Sequence, residues 1–183
     1  MPGSLGMKSP GELHLRERKT PMPFCQLFYH LVWSTKNRQP LLRPQVEPRI
    51  HNFLRAKAIG LGATVFALNG IEDHIHLVAS IPPKIAISTF IGQIKAVAAT
   101  KFNKSKFGDM PFFWQDGYGA FSFDAKRLPN YIAYVERQKK HHAHNTIIPI
   151  LERTDDTTVK RIREAPPIYQ LAEEAWRREL EAR

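Results

Sequence analysis

The chain has 183 residues, which suits one domain with short appendages, and its 43% hydrophobic and 10% aromatic content excludes a wholly disordered polymer. The single cysteine, Cys25, excludes an internal disulfide and a cysteine-based zinc cluster, and no apolar run approaches the roughly 20 residues of a membrane-spanning helix. Lysine and arginine number 27 against 17 acidic residues, a formal net charge of +10, so a neutral or acidic surface is excluded as well.

The excess charge is concentrated. Residues 24–150 carry 16 basic and 7 acidic side chains, whereas the first 23 residues and the last 33 are nearly balanced. A basic folded middle favours a polyanionic partner, of which nucleic acid is the commonest, although a solvated surface has the same composition. The opening segment, residues 1–23, has no apolar stretch of the kind a secretory signal needs and reads as a loose tail. Together with the lone cysteine this fits a cytoplasmic protein.

The first strand is expected over Phe24 to Lys36, where Cys25, Leu27, Tyr29, Leu31 and Trp33 alternate with Phe24, Gln26, Phe28, His30 and Val32. Apolar residues at helical spacing (Val46, Ile50, Phe53, Leu54, Ala58) predict a helix to Ile59, closed by Gly60 and Gly62. A short strand over Ala63 to Leu68 should turn at Asn69-Gly70, a strong hairpin signal, into a return strand over Ile71 to Ile81. Ser88 is placed to cap a second helix reaching about Phe107. Pro111 to Gln115 reads as a fourth strand, and a third helix is expected from about Ala125 to His142 with Asp124 as its cap. Residues 151–183 read as a linker and a charged terminal helix.

Strand, helix, strand, strand, helix, strand is the order of the ferredoxin-like βαββαβ unit. The expected fold class is therefore α+β: an antiparallel sheet with helices on one face, plus an additional helix. Residues 24–150 form the expected folded domain.

Two local patterns carry chemistry. His74 and His76 are two apart on an expected strand, so both imidazoles leave one face and make half of a metal site; two polar residues at a strand edge would give the same pattern. On the third helix Tyr134 and Gln138 are four apart and share a face. A tyrosine can act as a covalent nucleophile, and the glutamine carbonyl is a fitting hard ligand for Mg2+ or Mn2+ beside histidines. Packing alone would also account for Tyr134. Tyr131 is a competing nucleophile, but only Tyr134 has a glutamine four residues on. His30 lies on the strand expected to neighbour that of His74, and His141 and His142 end the tyrosine helix, where basic groups suit the helix dipole.

The combination of NGIEDHIHLVASIPP, YVERQKKHH, FFWQDGYGAFSF and YHLVWSTKNR, in that family's order from about Phe24 to His144, resembles the HUH single-tyrosine transposases. These include IS200-like insertion-sequence transposases and REP-associated tyrosine transposases. Arg137 departs from relatives that carry a small polar residue there. The resemblance implies that His74, His76 and Gln138 hold Mg2+ or Mn2+ and that Tyr134 attacks a DNA phosphate, leaving a 5′-phosphotyrosine and a free 3′-OH. It also implies single-stranded DNA with hairpin ends as substrate, a nucleoid setting, and either a homodimer that shares tyrosine helices or a monomer.

His30, Lys36, Arg38, Arg137, Lys139, His141 and His142 are the candidates for supporting the site or contacting DNA, with Arg43, Lys95, Lys101, Lys104, Lys106 and Lys140 as further basic contacts. Trp33, Phe113, Trp114 and Tyr118 are candidates for stacking on unpaired bases. Two rival readings share these residues: a catalytically silent nucleic-acid-binding module derived from a transposase, and a structural metal-binding domain.

Overall fold

Strand β1 (Phe28–Ser34) lies at the centre of the protein because both of its faces are apolar or histidine-bearing and both find cover. In this computed structural model residues 24–105, 107 and 110–154 are described; Lys106 and the expected terminal helix lie outside them. β1 pairs antiparallel with β3 (His74–Ser80) on one side and β4 (Gly119–Phe123) on the other, and β2 (Thr64–Ile71) pairs with β3, giving the order β2-β3-β1-β4. This is the expected ferredoxin-like arrangement.

The pleat sorts the residues of β1 and β3. Leu31, Trp33, Ile75, Leu77 and Ala79 face helices α1 (Glu47–Gly60) and α2 (Ile87–Lys104), packing against Ile50, Leu54, Phe90, Ile91 and Ile94. Each fully buried large aliphatic or aromatic side chain here contributes about 1.5–3 kcal/mol of hydrophobic stabilisation. On the opposite face Val32 sits across from His76, and His30 across from Val78 and Phe121. That face is covered by α3 (Leu128–Glu136), through Tyr134 and Val135, and by Leu151.

Four expectations are corrected. The β2–β3 turn is at Glu72-Asp73, not Asn69-Gly70; Gly70 pairs with Ile75 inside the ladder. A Cβ on Gly70 would lie 2.1 Å from the His74 carbonyl oxygen, so glycine is needed there for close backbone approach and not for the turn. The fourth strand is Gly119–Phe123, while Pro111 to Gln115 makes only a bridge from Trp114 to Thr35. Phe121 and Phe123 pair with His30 and Phe28, whereas Phe112 and Trp114 turn into the helix-side core.

The third correction concerns the tyrosine helix, which is not continuous. A 3-10 turn over Ala125–Arg127, capped by the Asp124 side chain, leads into α3, and Arg137 separates α3 from a short α4 (Gln138–Ala143). The fourth is small: α2 begins at Ile87 with Ala86 as its cap, two residues before the Ser88 cap expected.

Candidate metal and tyrosine site

His74 and His76 are buried on the α3 side of β3, as alternation requires. Each is oriented from behind. Asp73 Oδ1 is 2.5 Å from His74 Nδ1, and Arg38 is 3.4 Å from the same carboxylate. His30 Nε2 is 2.9 Å from His76 Nδ1, in stacked rings. A histidine whose Nδ1 is engaged this way presents Nε2 outward, the geometry of a metal-binding imidazole with a fixed tautomer.

What the two Nε2 atoms face is Glu152, on a 3-10 turn formed by Pro149–Glu152. Its Oε2 is 3.1 Å from each of them and 3.5 Å from His142 Nε2. The contact with His76 has hydrogen-bond geometry; His74 Nε2 lies at ion-pair distance without that alignment. Glu152 Oε1 accepts a short hydrogen bond from the Tyr134 hydroxyl, which in turn accepts from the Ile148 backbone N–H at 3.1 Å. Ligand atoms of His74, His76, His142 and Glu152 all lie within 4.8 Å of one another.

The charges follow from these contacts. Burial would lower His74, but Asp73 and Glu152 leave it raised above its ordinary value. Burial lowers His76 against the pull of Glu152, and pushes His30 down to about 3 with help from His76. Burial would raise Glu152, yet bonds to His74 and His76 hold it far below the ordinary carboxylate range. Tyr134 is pushed up to about 12, chiefly by burial and then by its bond to Glu152.

Gln138 is fully buried and neither amide atom has a hydrogen-bond partner. Its side chain lies close enough to the Tyr134 hydroxyl to favour the phenolate slightly. A buried, unpaired amide oxygen near the Tyr134 hydroxyl is of the donor type that, with imidazoles, suits a divalent cation of the Mn2+ or Mg2+ kind.

The structure thus brings together His30, His74, His76, Tyr134, Gln138 and His142 from one chain. His141 stands beside them, its ring 4.9 Å from that of Tyr134 and its Nδ1 at 3.0 Å from Thr146 Oγ1. Tyr131 stacks on Phe123 with ring centroids 3.9 Å apart and lies at the edge of the group, its ring 5.7 Å from that of His30. Lys139 is committed to Glu47 at 2.6 Å and to Asn69, and Lys95 donates to the carbonyls of Gln115 and Gly117; both are structural contacts. Lys36, Arg38, Arg43, Lys101, Lys104, Arg137 and Lys140 are exposed, though Lys36 lies 3.8 Å from Asp116. Trp33 and Trp114 are core residues and Tyr118 packs against the core, which leaves Phe113 as the exposed aromatic of the four.

Glu152 is the residue that sequence reasoning missed, and Asp73 was read only as part of the histidine stretch. Asp73 adjoins His74 and was legible as its orienter. Glu152 offered only a lone acid at the end of the apolar run Ile147 to Leu151, broken by Pro149.

Similar proteins share this framework. The ISDra2 transposase TnpA of Deinococcus radiodurans is 34% identical over 76 residues, covering 42% of this chain and 54% of that protein. The IS200 transposase of Salmonella typhimurium is 28% identical over 96 residues, covering 49% and 62%. The chain therefore aligns with somewhat over half the length of these curated relatives. A REP-associated tyrosine transposase solved with a REP hairpin superposes with a TM-score of 0.50 at 12% identity, covering 81% of this chain and 98% of that one. A Deinococcus radiodurans R1 crystal structure described as a transposase gives 0.52 at 24%, covering 66% and 97%. These two likenesses concern the fold. The family model of IS200-like transposases matches residues 24–138, well over half of the sequence, and the chain belongs to that family.

Proposed function

We propose that this protein is a metal-dependent enzyme that cleaves and rejoins single-stranded DNA through a phosphotyrosine on Tyr134. The observation that carries the reading is convergence: the Tyr134 hydroxyl and the Nε2 atoms of His74 and His76 meet on a single carboxylate, that of Glu152. A nucleophile and a cation-binding pair held that close can address one phosphate.

His74, His76 and Gln138 would hold the ion, which when bound polarises the scissile phosphate and offsets its charge. Asp73 and His30 fix the imidazole tautomers from behind, so the chain enters the reaction with its ligands oriented. The Tyr134 oxygen attacks phosphorus and loses its proton. The bond from phosphorus to the 3′ oxygen breaks, and that oxygen leaves as a hydroxyl, giving a 5′-phosphotyrosine. Attack by a 3′-OH on that linkage reverses the step and joins a strand with no ATP. A phenol is protonated at neutral pH even at its ordinary value of about 10, and burial and the Glu152 bond push Tyr134 further up, to about 12, so the free chain holds its nucleophile protonated.

The substrate proposed is single-stranded DNA containing a hairpin. The related structure bound to a REP hairpin supports that reading, and exposed Lys36, Arg38, Arg137 and Lys140 supply charge for phosphates. The bases would meet Phe113. The Tyr134 ring lies 6.1 Å from that of His76 in the same chain, which supports a site completed within one subunit. Among the described residues no helix is long and apolar enough to cross a membrane, and the proposed setting is the cytoplasm, on the nucleoid.

The test is covalent capture. A labelled single strand incubated with protein and Mn2+ should give a protein–DNA adduct that survives denaturing electrophoresis. Its absence with every hairpin substrate tried, alongside tight DNA binding, would favour the silent binding module.

A further inference from the structure

We infer that Glu152 is itself a ligand of the divalent ion, so that the Pro149–Glu152 turn completes the metal site and joins it to the nucleophile. This rests on the metal reading proposed above and adds to it a residue outside the stretch matched by the family model.

The first argument is geometric. Ions of this kind bind nitrogen and oxygen at about 2.0–2.3 Å, so their ligand atoms lie within a few ångströms of one another. The donor atoms of His74, His76, His142 and Glu152 meet that condition, all within 4.8 Å.

The second argument is charge. His74, His76, His142 and Gln138 are neutral as ligands, and burying a doubly charged ion among neutral donors alone is costly. Asp73 is taken up on the far side of His74. Glu152 is the carboxylate whose oxygen faces the three imidazoles, and it offsets half the charge of the ion.

The third argument is that the turn docks by contacts that do not use the carboxylate. Leu151 is buried with Ala67, Val78 and Val135, and Ile148 donates its N–H to the Tyr134 hydroxyl. Gly119 leaves room for the backbone: a Cβ there would lie 2.0 Å from the Arg153 carbonyl oxygen. The fold delivers Glu152 to the histidines; it is not a surface side chain reaching inward. With Oε2 toward the imidazoles and Oε1 on the Tyr134 hydroxyl, one side chain links ion and nucleophile.

The experiment is calorimetric titration of the full chain with Mn2+, without DNA, paired with the rise in Tm that Mn2+ produces. Wild type, Glu152→Gln, Glu152→Asp and His74→Ala are compared. Glu152→Gln should weaken Mn2+ binding about tenfold or more and shrink the Tm rise, with Glu152→Asp between it and wild type. His74→Ala should lose binding. If Glu152→Gln binds Mn2+ as tightly as wild type or tighter while His74→Ala loses it, the inference is overturned: the carboxylate would then be an occupant that the ion displaces. If His74→Ala also binds normally, the metal reading itself fails. Should Glu152→Gln fail to fold, undiminished affinity in Glu152→Asp overturns the inference equally.

Discussion

Asn69 donates its side-chain amide to the backbone carbonyl of Glu136 at 2.8 Å. In an unbroken helix that carbonyl would accept from Lys140, which here donates to Arg137 instead. A side chain from β2 therefore accompanies the break between α3 and α4, and the same residue accepts from Lys139. Asn69→Ala should cost about 0.5–1.5 kcal/mol in urea unfolding and loosen the placement of Gln138. No change in either stability or Mn2+ affinity would show that the break is intrinsic to the helix.

Tyr134→Phe should abolish covalent DNA adducts and leave single-strand affinity within about twofold, since the ring's packing is kept and only the hydroxyl is lost. Tyr131→Phe should retain adducts, because Tyr131 stacks on Phe123. Denaturing gels with both variants decide between the two tyrosines; adducts that vanish only with Tyr131→Phe would reassign the nucleophile.

Cleavage by His74→Ala and His76→Ala should be lost at any accessible Mn2+ concentration, whereas Gln138→Ala should recover partly in excess Mn2+, water replacing a neutral oxygen ligand. Asp73→Asn should weaken Mn2+ binding by about 10–100-fold through the misoriented His74 imidazole. Titrating Mn2+ against cleavage, and separately against calorimetric heat, orders the four variants. Full activity of His74→Ala in chelator would remove the metal from the mechanism.

His51 supplies a pH signature remote from the site. Burial lowers it to about 4, against the pull of Glu47 and with the push of Lys139 and Arg55. Its folded value lies below its unfolded value of about 6.5, so the unfolded chain binds the proton more readily between the two. Stability from this residue is full above about pH 6.5 and falls as pH drops toward 4. His51→Asn should flatten the pH dependence of unfolding in that window, leaving the share due to His30, His76 and His142, which burial lowers as well. An unchanged slope in urea unfolding across pH 7 to 4 would show that His51 is not desolvated in solution.

How much of this was legible in the sequence depended on the range of the interactions involved. Alternation on β3 placed His74 and His76 on one face, because period two is a local property of the chain; that His30 joins them depends on the register that sets it across from Val78. The i, i+4 relation of Tyr134 and Gln138 held even across the break, since both residues flank Arg137 closely. Long-range choices were not legible. Asn-Gly looked like a turn because local chemistry favours it, yet the ladder extends past it to Ile71. Pro111 to Gln115 had strand-like residues, but Phe112 and Trp114 gain more by entering the helix-side core than by pairing. Glu152 had no periodic signature at all: its place is set by Leu151, Gly119 and the Ile148 N–H, none of which a local window connects.

The stretch matched by the IS200-like family model stops at residue 138, yet the chain returns across the sheet fourteen residues later to place Glu152 against both histidines. Anyone excising a minimal domain at the edge of the homologous region would keep the tyrosine and the paired imidazoles but discard α4, His142 and Glu152. Such a fragment would expose Val78, Val135 and Ala67 where Leu151 had lain, and it would present a different electrostatic environment to DNA. Expression trials and domain grafts built on this scaffold should therefore extend at least through Arg153, whose backbone closes over Gly119.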